Sequence, residues 1–345
     1  MTDEAPDGID RAGVEAWFTD NVADVTLPLA FERISGGRSN LTFTVTDADG
    51  RRWALRRPPL GKGLTSAHDM GREHRVVSAL APTDVPVAPI VGMCEDESVN
   101  GAPFFVMEFV DGPILRTSEE AIDAFDESER GAIGDRVAET LVKIHRVDPD
   151  AVGLGELGKK QDYVARQLHR WHGQWEKSKT REVPLVDEVH ERLAARIPDQ
   201  GPATIVHGDY RLDNMILSPS GEIAAVVDWE LCTLGDPLAD VGMLIVYWGE
   251  PGDDLLPLHD PPTLAPGFPR REDVKARYAG LSGREMSEID FYIALGHWKL
   301  AIILQGIIFR VAAGQYGKGE DEGDETAQYV ERLAQAADED VRRLG

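Results

Sequence analysis

The sequence predicts an α+β fold in two parts: a small antiparallel β-sheet lobe with one packed helix, residues 1–107, then a larger, mainly helical lobe, residues 108–345. Three observations carry this. Leu41-Thr-Phe-Thr-Val-Thr46 alternates apolar and polar residues, the mark of a half-buried strand. The Asp47-Ala-Asp-Gly50 turn joins it to a second strand over Arg51–Arg57, which reads as a hairpin. From Asp111 onward the apolar spacing changes from the strand period to the helical one. The length, 345 residues, is also long for a single core.

In chain order, Asp10 is placed to cap a short amphipathic helix over Arg11–Asn21. Phe31–Ile34 reads as a strand, followed by the Ser35–Asn40 loop and the hairpin. Pro58-Pro59 stops its last strand. A helix is expected over Ser66–Leu80 with Ser66 as its cap. Prolines between Pro82 and Pro89 break the chain before strands near Ile90–Cys94 and Phe104–Phe109. Helices follow over Arg130–Arg146, Gln161–Lys179 and Val183–Arg196. A compact β-rich block spans Ala203–Trp229, and the rest is helical apart from a Pro-rich stretch between Pro251 and Pro269. There is no internal repeat, and the acidic, Gly-containing stretch Gly314–Gly323 reads as a surface loop.

The composition is globular, with 42% hydrophobic and 28% charged residues. The net charge of -25 argues against nucleic acid or an anionic membrane as partner and favours a solvated acidic shell. Nine of the 36 basic residues are Lys, and this scarcity beside the acid excess would fit a halophilic source. A phosphate-binding site on such a chain must be locally basic. Cys94 and Cys232 stand in no metal-ligand spacing and are expected as buried, reduced thiols. The N-terminal residues 1–10 lack the apolar run of a signal peptide. The most apolar stretch, Phe291–Val311, holds His297, Lys299, Gln305 and Arg310, so it is expected to be a core helix. A cytoplasmic location is the resulting expectation.

The segment His207-Gly-Asp209-Tyr-Arg211-Leu-Asp-Asn214 carries the chemistry. A short apolar run precedes it, and a hairpin of Met215–Leu217, Ser218–Gly221 and Glu222–Val227 follows it and delivers Asp228-Trp229-Glu230. This has the H-x-D-x-x-x-x-N spacing of a kinase catalytic loop, with Asp228-Trp-Glu where a metal-binding Asp-Phe-Gly would stand. Phosphoryl transfer needs a carboxylate to orient the attacking hydroxyl and hard oxygen ligands for Mg²⁺. Asp209 is therefore the expected base, Asn214 and Asp228 the Mg²⁺ ligands, and Arg211 a residue steadying the γ-phosphate. His207 is read as a loop organiser, and Glu230 as a group near the substrate. Taken singly, His-x-Asp, Asp-Asn turns and a capping Asp are common; together and in register they are not.

The run His207–Asp240 resembles the aminoglycoside phosphotransferase and choline kinase-like superfamily. It is most similar to the kinase domain found fused to some acyl-CoA dehydrogenases. Leu55-Arg-Arg-Pro-Pro59, Tyr163–Thr180 and Phe291–Arg310 fit that subgroup as well, so the resemblance covers most of the chain. It implies a bilobal, protein-kinase-like fold with ATP between the lobes, two Mg²⁺ ions and a small acceptor with a hydroxyl group over Asp209.

The same resemblance implies that Ser35–Asn40 is the phosphate-covering loop, with Gly36, Gly37, Ser39 and Asn40 near the nucleotide. An ordinary glycine turn is the competing reading. Arg56 stands where kinases carry a phosphate-binding Lys, and Glu73 matches its ion-pair partner; Arg57 takes the place of Arg56 if the register slips by one. Main-chain groups of Glu108 and Val110 would meet adenine at a hinge near Glu108–Gly112, with Met107 as gatekeeper. Asp236 and Asp240 would tie the catalytic loop, and His145 would pack and hydrogen-bond.

The helix holding His169, Trp171, His172 and Trp175 reads equally as acceptor pocket or as core. No Cys and no suitable carboxylate spacing supports a metal there. Two other functions compete: a nucleotide-binding protein impaired in transfer, because Arg56 replaces Lys, and a metal-dependent hydrolase using His207, Asp209 and Asp228. For the acceptor, the resembling subgroup points to a hydroxyacyl-CoA or related hydroxy acid. An aminoglycoside, choline, a sugar and homoserine are the alternatives.

Overall fold

The structure, a computed structural model, describes residues 5–34, 40–60, 69–256, 259–312 and 323–344. The chain forms two compact units. The first comprises Met1–Pro113, Met215–Pro219 and Ile223–Cys232; the second comprises Ile114–Asn214, Ser220–Glu222 and Thr233–Gly345.

The first unit begins with α1 (Arg11–Asn21), whose Asp10 cap accepts from the Gly13 N–H as its sequence position suggested. Then come β1 (Ala30–Arg33), β2 (Leu41–Thr46), β3 (Arg52–Arg57), α2 (Met70–Leu80), β4 (Ile90–Cys94), α3 (Glu97–Asn100) and β5 (Phe104–Glu108). The five strands make one antiparallel sheet in the order β1-β2-β3-β5-β4. The alternation of β2 is realised: Leu41, Phe43 and Val45 are buried, with Thr42, Thr44 and Thr46 half-buried between them. Phe43, Val45, Trp53 and Leu55 pack with Phe104, Val106 and the Val14 and Phe18 face of α1.

One expectation changes here. The cap of α2 is Asp69, not Ser66: the Asp69 carboxylate accepts from the Arg72 N–H at 3.1 Å, and Ser66 lies outside the described residues.

The second unit continues with α4 (Ser118–Ala124), α5 (Glu127–Arg146), α6 (Tyr163–Ser178), α7 (Pro184–Ala194) and β6 (Thr204–Val206). Both α4 and α5 start in capping boxes, Thr117 with Glu120 and Asp126 with Glu129. The chain then returns to the first unit for the hairpin β7 (Met215–Leu217) and β8 (Ile223–Val226). Back in the second unit are β9 (Thr233–Gly235), antiparallel to β6, then α8 (Leu238–Tyr247), α9 (Arg271–Ser282), α10 (Ile289–Ala312) and α11 (Gly323–Arg343).

Helix α10 is long and apolar enough to cross a membrane by length and composition. In this fold its Phe291, Trp298, Ala301 and Ile302 are buried. Its polar groups also have partners in the second unit: Trp298 Nε1 donates to the Val186 carbonyl at 2.9 Å, and Gln305 Nε2 to the Ser178 carbonyl at 3.0 Å. Cys94 and Cys232 are buried free thiols.

The hairpin is held inside the first unit by a close approach at the end of the expected hinge. Leu217 N–H donates to the Pro113 carbonyl at 2.9 Å. A Cβ on Gly112, at φ 155°, would fall 1.8 Å from the Leu217 carbonyl oxygen, so no larger residue fits there.

Candidate active site

In the second unit the β6–β9 ladder ends at Val206, and the chain turns through Gly208, whose φ of 88° suits glycine. Asp240, near the start of α8, fixes this turn. Its carboxylate accepts from the His207 N–H at 2.7 Å and the Gly208 N–H at 2.8 Å, and meets His145 Nε2 at 3.3 Å. Burial alone would raise the carboxyl's pKa, but the His145 hydrogen bond and the backbone donors hold it below the usual range. His145 is itself pushed down by burial and is held on its other side by Tyr278 Oη at 2.8 Å. Among the described residues Asp236 makes no bond to the loop backbone. It accepts from Leu238 N–H at 3.0 Å within its own helix start, and it meets Tyr292.

The loop then brings three expected residues together. Asn214 closes a 3-10 turn over Leu212–Asn214, with its N–H on the Arg211 carbonyl at 3.0 Å. Its Nδ2 donates to the Asp209 carbonyl at 2.8 Å and to Asp209 Oδ2 at 3.0 Å. Two acceptors on the nitrogen side fix the amide orientation and leave Oδ1 as the atom it can present to a cation. Arg211 Nε lies 3.3 Å from Asp209 Oδ2 and its Nη1 2.9 Å from Asp213 Oδ2, with the guanidinium 4.8 Å from the centre of the Tyr247 ring. Burial disfavours charge on Arg211, yet the Asp209 and Asp213 carboxylates outweigh it and the guanidinium stays cationic. Asp213 bears the opposite effect: burial lifts its carboxyl to about 6 against the pull of Arg211. His207 is fully buried, and its Nδ1 accepts from the Asp209 N–H at 3.2 Å, the contact of a loop organiser.

In the first unit, Arg56 of β3 and Glu73 of α2 form the expected ion pair, Nε to Oε2 at 2.8 Å. Arg56 also donates through Nη2 to Asp228 and through Nη1 to Thr42 Oγ1 at 3.2 Å. Burial works against both charges. Glu73 and Asp228 outweigh it for Arg56, raising its pKa, whereas burial prevails for Glu73 and raises its carboxyl. Asp228 sits in the left-handed region, φ 66° and ψ 57°, which costs a non-glycine residue about 1–2 kcal/mol and commonly marks a functional position.

Asn40, at the end of the expected phosphate loop, is buried, and its Nδ2 donates to Glu230 Oε2 at 3.0 Å. Gly36, Gly37 and Ser39 lie outside the described residues. Arg57 is no substitute for Arg56: it is buried and donates to the Gly8, Pro58 and Asn100 carbonyls. At the expected hinge, the Glu108 N–H donates to the Pro89 carbonyl at 2.8 Å. Pro89 has no N–H to return a bond to the Glu108 carbonyl. The Val110 main chain forms no hydrogen bond among the described residues.

Several residues beside the loop were not singled out from sequence. Lys299 of α10 donates from Nζ to the Gly208 carbonyl at 2.8 Å, next to Asp209. It lines a pocket with Tyr163, Gln167 and Trp171 of α6 and with Tyr292. The available signal was the one Lys of a mostly apolar run that also holds His297, Gln305 and Arg310. Tyr247, at the end of α8, left no sequence signal beyond hydrophobicity.

On the His- and Trp-rich helix, Trp171 lines this pocket while Trp175 is fully buried core. The fold also supplies a carboxylate spacing that the sequence hid. His172, Glu176 one turn on, and Asp187 of α7 have ligand atoms within 4.8 Å of one another. Each already has a partner, His172 with Asp187 at 2.8 Å and Glu176 with Lys179 at 3.1 Å.

Relatives fit this geometry. Acyl-CoA dehydrogenase family member 10 of Mus musculus is 36% identical over 294 residues, covering 84% of this chain and 27% of that protein. Family member 11 of the same species is 32% identical over 337 residues, covering 94% of this chain and 42% of that protein. The chain thus spans less than half the length of either. Among solved structures, a candidate aminoglycoside phosphotransferase from Ralstonia eutropha shares 34% identity and a TM-score of 0.82, covering 97% of this chain and 99% of that one. A choline kinase from Cryptosporidium parvum shares the fold at 12% identity and a TM-score of 0.68, over 97% of this chain and 96% of that one. The antiparallel sheet and the helical remainder match these kinase-like neighbours. Residues 30–280 match the phosphotransferase enzyme family of the aminoglycoside phosphotransferase type, and the chain belongs to that family.

Proposed function

We propose that this chain moves the γ-phosphate of ATP, with Mg²⁺, onto a hydroxyl of a small molecule, and that the acceptor is a hydroxyacyl-CoA or related hydroxy acid. The observation that carries the transfer is the pairing of Asp209 with Asn214 at 3.0 Å on one tight loop. A carboxylate held by a carboxamide and a guanidinium is oriented to accept the proton of an attacking hydroxyl. The acceptor rests on the relatives, which are acyl-CoA dehydrogenase family members by name.

The residues present suit Mg²⁺. Asn214 Oδ1 in the second unit and the Asp228 carboxylate in the first are each hard oxygen donors of the kind this ion takes, and the ion would neutralise charge on the phosphates. On this reading Arg56, steadied by Glu73, contributes permanent positive charge toward phosphate, and Asn40 closes the loop that covers it. The main chain at Glu108 and Val110 takes the adenine.

A purified-protein assay with radiolabelled ATP, Mg²⁺ and a panel of hydroxy acids and their CoA thioesters tests this. Asp209→Ala should lower transfer by about 10²–10⁴-fold while ATP binding, measured by calorimetry, is retained. Full transfer by that variant would refute the role of Asp209. A second reading, a nucleotide-binding chain that transfers nothing, draws on the direct pairing of Arg56 with Asp228. ATP binding without transfer to any acceptor would favour it. The metal-dependent hydrolase reading loses ground because His207 Nδ1 is bonded to the Asp209 N–H within a fully buried side chain.

A further inference from the structure

We infer that Lys299 is the residue by which the second unit selects its acceptor by charge, and that the acceptor carries an anionic group near its hydroxyl. The inference rests on the phosphotransfer reading above and deepens it, because that reading names no residue that would recognise the charge of the acceptor.

Lys299 stands at the wall of the pocket beside the Asp209 loop. Its ammonium is anchored at one point, the Gly208 carbonyl at 2.8 Å, and lies 5.3 Å from the centre of the Trp171 ring. An ammonium has three donors, so the Gly208 bond leaves two for a ligand. Lys299 forms no ion pair among the described residues. The two carboxylates whose fields reach it are already committed: Asp240 to His145, His207 N–H and Gly208 N–H, and Asp209 to Asn214 and Arg211. Burial lowers the Lys299 pKa, as expected for a cation without a partner of its own. Of the other walls, Tyr163, Trp171 and Tyr292 are uncharged, and Asp240 is the one charged side chain besides Lys299, its carboxylate taken up by His145 and the His207 and Gly208 N–H groups. An anion would complete the site. A cation would meet like charge, and the Asp240 carboxylate in the same wall is already bonded to His145 and two loop N–H groups. The anchor places the ammonium on the residue before Asp209, so a molecule held by Lys299 has its hydroxyl beside the expected base.

The test uses the full chain with radiolabelled ATP and five acceptors: 3-hydroxybutyrate and glycerate as anions, glucose as neutral, choline and kanamycin as cations. Wild type should use an anionic acceptor with the lowest KM. Lys299→Met should raise that KM by about 10- to 100-fold, with a smaller effect on kcat. Lys299→Arg should recover part of the loss. Lys299→Glu should move preference toward choline. Circular dichroism and thermal melting establish that each variant is folded, and Lys299→Arg keeps the test open if Lys299→Glu is not.

A wild type that prefers choline, kanamycin or glucose overturns the inference. So does a Lys299→Met that lowers kcat for every acceptor alike with KM unchanged, since that is what a mere loop anchor would do. If wild type labels none of the five, the phosphotransfer reading fails and the inference falls with it; if it labels them and the variants show no charge preference, only the inference fails.

Discussion

The Arg56 guanidinium holds Glu73 and Asp228 at once, Nε on Glu73 at 2.8 Å and Nη2 on Asp228. Its side chain is 12% exposed and that of Glu73 is 3% exposed, so the pair is largely withdrawn from water. Removing one partner of such a pair strands the other, at about 3–5 kcal/mol, whereas removing both costs far less. Arg56→Met should therefore lower stability by an amount in that range and weaken ATP binding. The double variant Arg56→Met/Glu73→Met should recover most of the stability and none of the binding. Urea unfolding and nucleotide titration read the two effects separately. Equal stability of the single and double variants would show that the loss does not come from a stranded Glu73.

Arg211 bridges Asp209 and Asp213 and lies over Tyr247. Arg211→Leu keeps bulk but frees the Asp209 carboxylate from its guanidinium. The expected result is a fall in kcat of about 10- to 100-fold with ATP affinity retained, as for loss of one well-placed charge in a transfer site. A variant with unchanged kcat and a raised acceptor KM would instead place Arg211 in acceptor binding.

Gly112 has no room for a side chain, because a Cβ would fall 1.8 Å from the Leu217 carbonyl oxygen, and both partners are backbone-fixed. Gly112→Ala should lower stability by about 3 kcal/mol or more. A melting temperature equal to wild type would mean that this approach is not tight in solution.

His145 is buried between Tyr278 and Asp240, and burial lowers its pKa in the folded state below the unfolded value of about 6.5. For a group depressed on folding, the stabilisation is complete above the unfolded value and is lost as pH falls toward the folded one. Asp240, also depressed, loses its share only below about 4. His145→Asn has no such titration. The stability advantage of wild type over this variant should therefore shrink between pH 7.5 and 5.5, measured by urea unfolding at both. A constant difference would show that His145 titrates as it does in the unfolded chain.

The Asp209–Asn214 loop was legible in the sequence because its pattern is local. Asp209 and Asn214 are five positions apart, and the bond between them forms within one loop. The strands were legible for the same reason: Leu41–Thr46 alternates by itself, whatever covers it. Where local reading failed, a short side chain decided the matter, as when Asp69 rather than Ser66 capped α2. Arg57 differs from Arg56 by one position and therefore points to the other face of the sheet, where it serves the Gly8 and Asn100 carbonyls.

The sequence by itself determined the change from an early strand-rich part to a later helical one, the loop that carries Asp209 and Asn214, and the family to which they belong; α3, α4 and β9 appeared only in the structure. Only the tertiary structure decided which charge meets which. Arg56 and Asp228 are 172 positions apart, and Lys299 and Gly208 are 91 apart. Backbone periodicity is set by neighbours along the chain, so it is written in short stretches of sequence. Electrostatic partnership depends on separation in space and on burial, and neither exists until distant segments have packed.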